Sequence, residues 1–133
     1  MSVTFAAAWL AAAIISHHAP ALSARPRAAQ AAAPRSISIE AERFSFTPSR
    51  IRVTVGEEIA LRLRSADTAH GFKIEGTDIN AEIPKRGKGE IVVRYKADAV
   101  GRYRFACSRM CGAGHDFMQG EIVVSAANEA KER

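Results

Sequence analysis

Long apolar runs are scarce in this chain. The stretch Phe5–Ile15 is unbroken but holds only 11 residues, whereas a membrane-spanning helix needs about 20. That length suits the core of a signal peptide, and Leu22, Ser23 and Ala24 offer a small-residue cleavage site. No Lys or Arg precedes the run, so an uncleaved anchor and a plain Ala-rich tail remain alternative readings. Acidic residues are absent from the first 35 positions, which carry Arg25, Arg27 and Arg35. The remainder holds 16 basic and 14 acidic groups, close to neutral and without a long basic run. Nucleic-acid binding driven by charge is therefore not expected. Tryptophan occurs once, as Trp9. A Ser-His-Asp order, a phosphate-binding loop and paired carboxylates are all missing, which argues against an enzyme acting alone. Cysteine is limited to Cys107 and Cys111. Export would favour a disulfide between them, but the ring closed would be small and would constrain little chain. Joint metal ligation is the stronger reading.

What the sequence does contain is alternation. The 133 residues are one domain's worth. Residues 25–35 are rich in Ala, Arg and Pro and read as a flexible linker. Period two then takes over: Ile37, Ile39 and Ala41; Ile51, Val53 and Val55; Ile59, Leu61 and Leu63. An apolar stretch from Ile91 to Tyr95 follows, then Tyr103 and Phe105 between Arg102 and Arg104, and finally Ile122–Val124. Strict alternation predicts half-buried strands. Turn residues separate them, at Thr47-Pro48, Gly56, Gly76, Gly87 and Gly101. The expected fold is all-β, a Greek-key sandwich or small barrel. The expected division is a leader over 1–24, a linker over 25–35, a domain over 36–125 and a polar tail over 126–133.

Between the last two predicted strands lie Cys107, Cys111, His115 and Met118, four soft or borderline ligands within twelve residues. Such donors suit copper rather than magnesium or calcium. Gly112 and Gly114 disfavour a continuous helix and allow a tight loop. His70 is a second candidate imidazole. One copper with one thiolate, two imidazoles and a thioether would leave a thiolate spare. Two cysteines bridging two coppers would use every donor, with a backbone carbonyl filling the last position. Tetrahedral zinc on His70, Cys107, Cys111 and His115 is the main rival, but it leaves Met118 unused. Each residue also has an ordinary reading, as a buried small hydrophobe, a core methionine or a loop histidine. Met110 is expected to pack.

At these positions the chain resembles the CuA domain of cytochrome c oxidase subunit II. The loop motif falls on Cys107, Cys111, Gly112, His115 and Met118 without a gap. An upstream element falls on Asp67, His70 and Phe72, and further matches lie in Gly76–Asn80 and Gly101–Tyr103. The resemblance covers about residues 36–124. It implies a cupredoxin-like fold and a centre of two copper ions. It implies that Cys107 and Cys111 bridge the metals, that His70 and His115 each bind one, that Met118 is a weak ligand, and that the backbone carbonyl of Arg109 completes the set. The implied partners are a cytochrome c-like electron donor and oxidase subunit I. Two departures stand out. Arg109 replaces a frequent Glu whose carboxylate helps bind a further metal at the boundary with subunit I. Phe44 and Phe46 stand where a Trp-rich stretch is common.

The expected function is that of an exported, periplasmic or otherwise extracytoplasmic electron carrier, free or docked on an oxidase. Membrane association through the N-terminal segment is compatible with this. The alternative is a copper-binding or copper-delivery module without a respiratory role. A strongly basic cytochrome c should find little attraction here, unless Glu40, Glu42, Glu57 and Glu58 form an acidic patch.

Overall fold

Alternating apolar residues need a dry face, and two sheets supply it by packing against each other. The computed structural model describes residues 33–127. The leader expected over 1–24, most of the linker and the end of the polar tail lie outside the described residues. Among the described residues, nine strands run in order: β1 (Arg35–Glu42), β2 (Ser45–Thr47), β3 (Arg50–Thr54), β4 (Glu58–Ser65), β5 (His70–Ile74), β6 (Asn80–Ile83), β7 (Ile91–Lys96), β8 (Gly101–Ala106) and β9 (Gln119–Ser125). One sheet has the order β2-β1-β4-β7 and the other β3-β9-β8-β5-β6. The pairs β1·β4 and β3·β9 are parallel, and the rest are antiparallel. The fold is the expected all-β, cupredoxin-like sandwich.

The alternation seen in the sequence sorts as period two requires. Ile39 and Ala41, Ile51 and Val53, Ile59, Leu61 and Leu63, and Ile122 and Val124 all point into the core. Three aromatic rings fill its centre. Phe46, Phe72 and Phe105 meet with centroids 5.2 to 5.7 Å apart, two of the three pairs edge to face. Each such buried ring contributes about 1.5–3 kcal/mol relative to exposure.

Three strands escaped the sequence pattern: β2, β5 and β6. The case of β5 is instructive. His70, Gly71 and Phe72 are all buried in succession, so no alternation is visible. Phe72 faces the core, while Gly71 faces outward and is covered by the loop that follows β8. A strand buried on both faces loses its polar half. His70 is therefore a strand residue and not a loop residue.

Candidate metal centre

The Cys107–Met118 loop leaves β8 and returns as β9. Its base is closed by a hydrogen bond from the Cys107 backbone N–H to the Met118 carbonyl, 3.0 Å. Inside it, His115–Phe117 form one 3-10 turn, with Met118 N–H donating to the His115 carbonyl at 3.0 Å. Gly112 adopts φ +143°, a region open to glycine. The loop thus folds back on itself and gathers its side chains.

Cys107 and Cys111 are buried free thiols with sulfurs 3.9 Å apart. Cys111 Sγ lies 3.8 Å from His115 Nδ1 and 3.8 Å from Met118 Sδ. Cys107 Sγ lies 3.0 Å from the Arg109 carbonyl oxygen. From β5, His70 reaches the same point: one ring nitrogen and the two sulfurs lie within 4.8 Å of one another. The five candidate side chains and the Arg109 carbonyl, far apart in character, are therefore brought together. Met110 is not part of the packing; it is 74% exposed, which corrects the expectation for it.

The surroundings fix these donors. His70 is fully buried, and its Nε2 lies 2.7 Å from Asp67 Oδ1. With Nε2–H donating there, Nδ1 keeps a free lone pair, and it has no partner. An orphaned buried nitrogen costs about 1–3 kcal/mol, and a metal ion would satisfy it. Burial raises the Asp67 carboxyl, but hydrogen bonds from His70 and the Arg43 and Thr68 backbones outweigh this and hold it at about 2. It is therefore a carboxylate at any ordinary pH and orients the imidazole. Burial, aided by neighbouring Cys107, pushes the Cys111 thiol up to about 11. A cation must displace that proton before the sulfur can ligate. The donors are two sulfurs, two imidazoles, a thioether and a carbonyl, a set that fits a soft or borderline metal.

Three supports were not legible in the sequence. The Arg43 guanidinium donates to the Cys111 carbonyl at 2.7 Å and lies 4.0 Å from Asp67 Oδ2. It thereby ties both halves of the site to the β1–β2 turn. The Gly71 N–H donates to Cys107 Sγ at 3.4 Å. At the β6 edge, Ser108 Oγ donates to Asn80 Oδ1 at 2.7 Å, and Arg109 pairs with Glu82 at 2.5 Å. Asp67 alone had a signal, its place three residues before His70. The others depend on residues far apart in the chain.

A two-sheet β-sandwich carrying a Cys-His-Met loop at one end defines the cupredoxin class, and this chain belongs to the cupredoxin-like domain family, whose sequence profile matches residues 3–124. More particularly, it resembles the CuA domain of cytochrome c oxidase subunit II. It is 44% identical over 82 residues to subunit 2 of the oxidase of Thermus thermophilus, covering 61% of this chain and 58% of that one. The chain spans roughly half the length of the relatives it matches, 58% of one and 47% of another. Among solved structures, a haem-copper terminal oxidase dimer superposes with a TM-score of 0.61 at 28% identity, covering 68% of this chain and 65% of that one. The periplasmic domain of subunit II of the Bradyrhizobium japonicum cytochrome oxidase shares the fold, with a TM-score of 0.65 at 18% identity, over 73% and 88% of the two chains.

Proposed function

We propose that this chain is an extracytoplasmic copper protein with a dinuclear CuA-type centre, passing electrons from a cytochrome c-like donor towards a terminal oxidase. The observation that carries this reading is the pair of buried thiols 3.9 Å apart, flanked by His70, His115, Met118 and the Arg109 carbonyl. In it, Cys107 and Cys111 would hold both copper ions, His70 and His115 would each hold one, Met118 would be a weak ligand and the Arg109 carbonyl would complete the set. When bound, such a pair of coppers supplies reversible one-electron chemistry.

The chain's own residues keep that chemistry fast by not moving. Asp67 fixes the His70 ring, Gly71 N–H donates to the Cys107 sulfur, and Arg43 holds the Cys111 carbonyl. A preorganised cage leaves little to rearrange when charge changes. Cys107, Cys111 and Met118 are at most 7% exposed, so water is excluded from the sulfurs. His115 is half-buried and flanked by exposed Phe117, which gives the site one ligand at the surface.

Location outside the cytoplasm is supported by the similarity to oxidase subunit II. No helix among the described residues is long and apolar enough to cross a membrane. Docking on oxidase subunits belongs to the same proposal. One observation favours the rival reading of copper delivery. Position 109 carries an arginine already paired with Glu82, where a carboxylate would help join subunit I. Slow copper exchange together with fast electron exchange with a cytochrome would exclude delivery.

The test is copper content with visible and electron paramagnetic resonance spectra of the loaded chain. Two coppers per chain and a hyperfine pattern from one shared electron are expected. If Cys107→Ser keeps the stoichiometry and spectrum of the wild type, the proposal fails.

A further inference from the structure

The two outer faces of the sandwich carry different charge. On the four-stranded sheet the cations are matched. Arg64 pairs with Glu40 at 2.9 Å, Arg94 with Glu58 at 3.1 Å, and Arg62 with Glu90. With Glu57 taken by Arg35 at 2.7 Å, three of the four acids considered from the sequence, Glu40, Glu57 and Glu58, are paired with arginines.

The five-stranded sheet is not matched. Arg50 and Arg52 alternate with buried Ile51 and Val53, Arg102 and Arg104 with Tyr103 and Phe105, and Lys73 lies between Phe72 and Ile74. All five therefore point away from the core. Register places them in rows. Arg50 and Arg104 both lie opposite Glu121, and Arg52 and Arg102 both lie opposite Val123. Glu121 is shared by Arg50 at 2.6 Å and Arg102 at 3.2 Å, and Arg104 has Glu75 at 3.6 Å. Among the described residues, no carboxylate pairs with Arg52 or Lys73. A groove of about 650 Å³ runs between Arg50, Arg102, Arg104 and Gln119. Gln119 directly follows Met118, so the groove opens beside the ligand loop.

We propose that this outer face of the five-stranded sheet is a docking surface for an acidic protein, whose carboxylates engage Arg50, Arg52, Arg102 and Arg104. The inference rests on the electron-transfer reading and deepens it by giving the redox partner a charge. Guanidinium groups suit carboxylate partners, and on this face one carboxylate, Glu121, already accepts a single charged contact from each of Arg50 and Arg102. The four-stranded face offers a partner no such surplus. An acidic partner seated on β8 and β9 would lie next to the loop that those strands support.

The test uses the full chain, with and without copper, and two probes: a lysine-rich cytochrome c, and the same cytochrome c with its lysines succinylated. Affinity is measured at low and high ionic strength. The acidic form should bind at least about tenfold more tightly at low salt, and the gain should vanish at high salt. Arg52→Gln with Arg102→Gln should weaken it about tenfold. Arg62→Gln with Arg94→Gln removes equal charge from the other face and should leave affinity unchanged. Lys73→Gln gives an independent check on the same face. Equal binding of the two cytochromes would overturn the proposal. So would equal losses from both variant pairs, which would mean diffuse net charge. Binding to phosphatidylglycerol vesicles but not to the acidic protein would make the face a lipid surface and also overturn it. Binding is measured without copper as well as with it, so failure here leaves the metal reading standing, while failure to load copper removes the redox role of the partner and is read separately.

Discussion

Gly71→Ala should damage the metal loop without touching a ligand. A Cβ at position 71 would sit 2.6 Å from the Arg109 backbone nitrogen and 2.7 Å from that of Ser108, where ordinary contact begins at 3.4 Å. The loop must therefore retreat by about 0.8 Å. Backbone cannot rotate aside as a side chain would. The segment that moves runs from Cys107 to Arg109, and Cys107 Sγ would draw away from the Gly71 N–H now 3.4 Å distant. Overpacking of this kind costs about 1–3 kcal/mol, which lowers the melting temperature by about 4–8 °C per kcal/mol in a domain of this size. Displacing a supporting contact should weaken copper binding about 10–100-fold. Urea unfolding of the metal-free chain and competition with a chelator measure the two effects. Gly76→Ala is the control: it has φ +78° and nothing within 4 Å of an added Cβ. It should lose about 1 kcal/mol from backbone strain alone and keep its copper. A Gly71→Ala protein with wild-type copper affinity and spectrum would refute the idea that this close approach sets the loop.

Met118→Leu conserves volume at a position 1% exposed, so stability should change by less than about 1.5 kcal/mol while the copper spectrum and potential shift; an unchanged spectrum would remove Met118 from the ligand set. Arg43→Gln should lose the charged bond to the Cys111 carbonyl, costing about 1.5–3 kcal/mol and speeding copper loss to a chelator; unchanged release would show that Arg43 does not hold the loop. The Arg35 hydrogen bond beside Glu57 outweighs burial and, with the Thr54 backbone, holds its carboxyl below the usual 4.5. A lowered folded value means stability is present above the unfolded value and lost as pH falls through the folded one. The stability gap between wild type and Glu57→Gln should therefore be constant above about pH 5 and narrow as pH falls below the usual 4.5. Urea midpoints of the metal-free proteins across this range check this, and a gap that widens as pH falls would contradict it.

Donor chemistry and close spacing singled out Cys107, Cys111, His115 and Met118 in one short loop with His70 as a further candidate imidazole, and the resemblance to the CuA domain implied that His70 joins them. Alternation located six of the nine strands described and missed the short β2 and β6, which offer too few residues to show a period. It missed β5, where Gly71 is covered by the loop and the polar half of the pattern is absent. It missed Arg43 because that side chain reaches a carbonyl 68 residues away. Nothing local to Arg43 marks it as different from Arg52 or Arg62.

The sequence by itself determined the all-β class, the inward faces of most strands and the soft donor set, since these follow from side-chain chemistry and period two. Only the tertiary structure decided that the sulfurs stand 3.9 Å apart, that His70 Nδ1 is left without a partner, and that one sheet face is neutral while the other is cationic. Composition averages charge over the whole domain. Cross-strand register, which pairs residues distant in the chain, is what separates it.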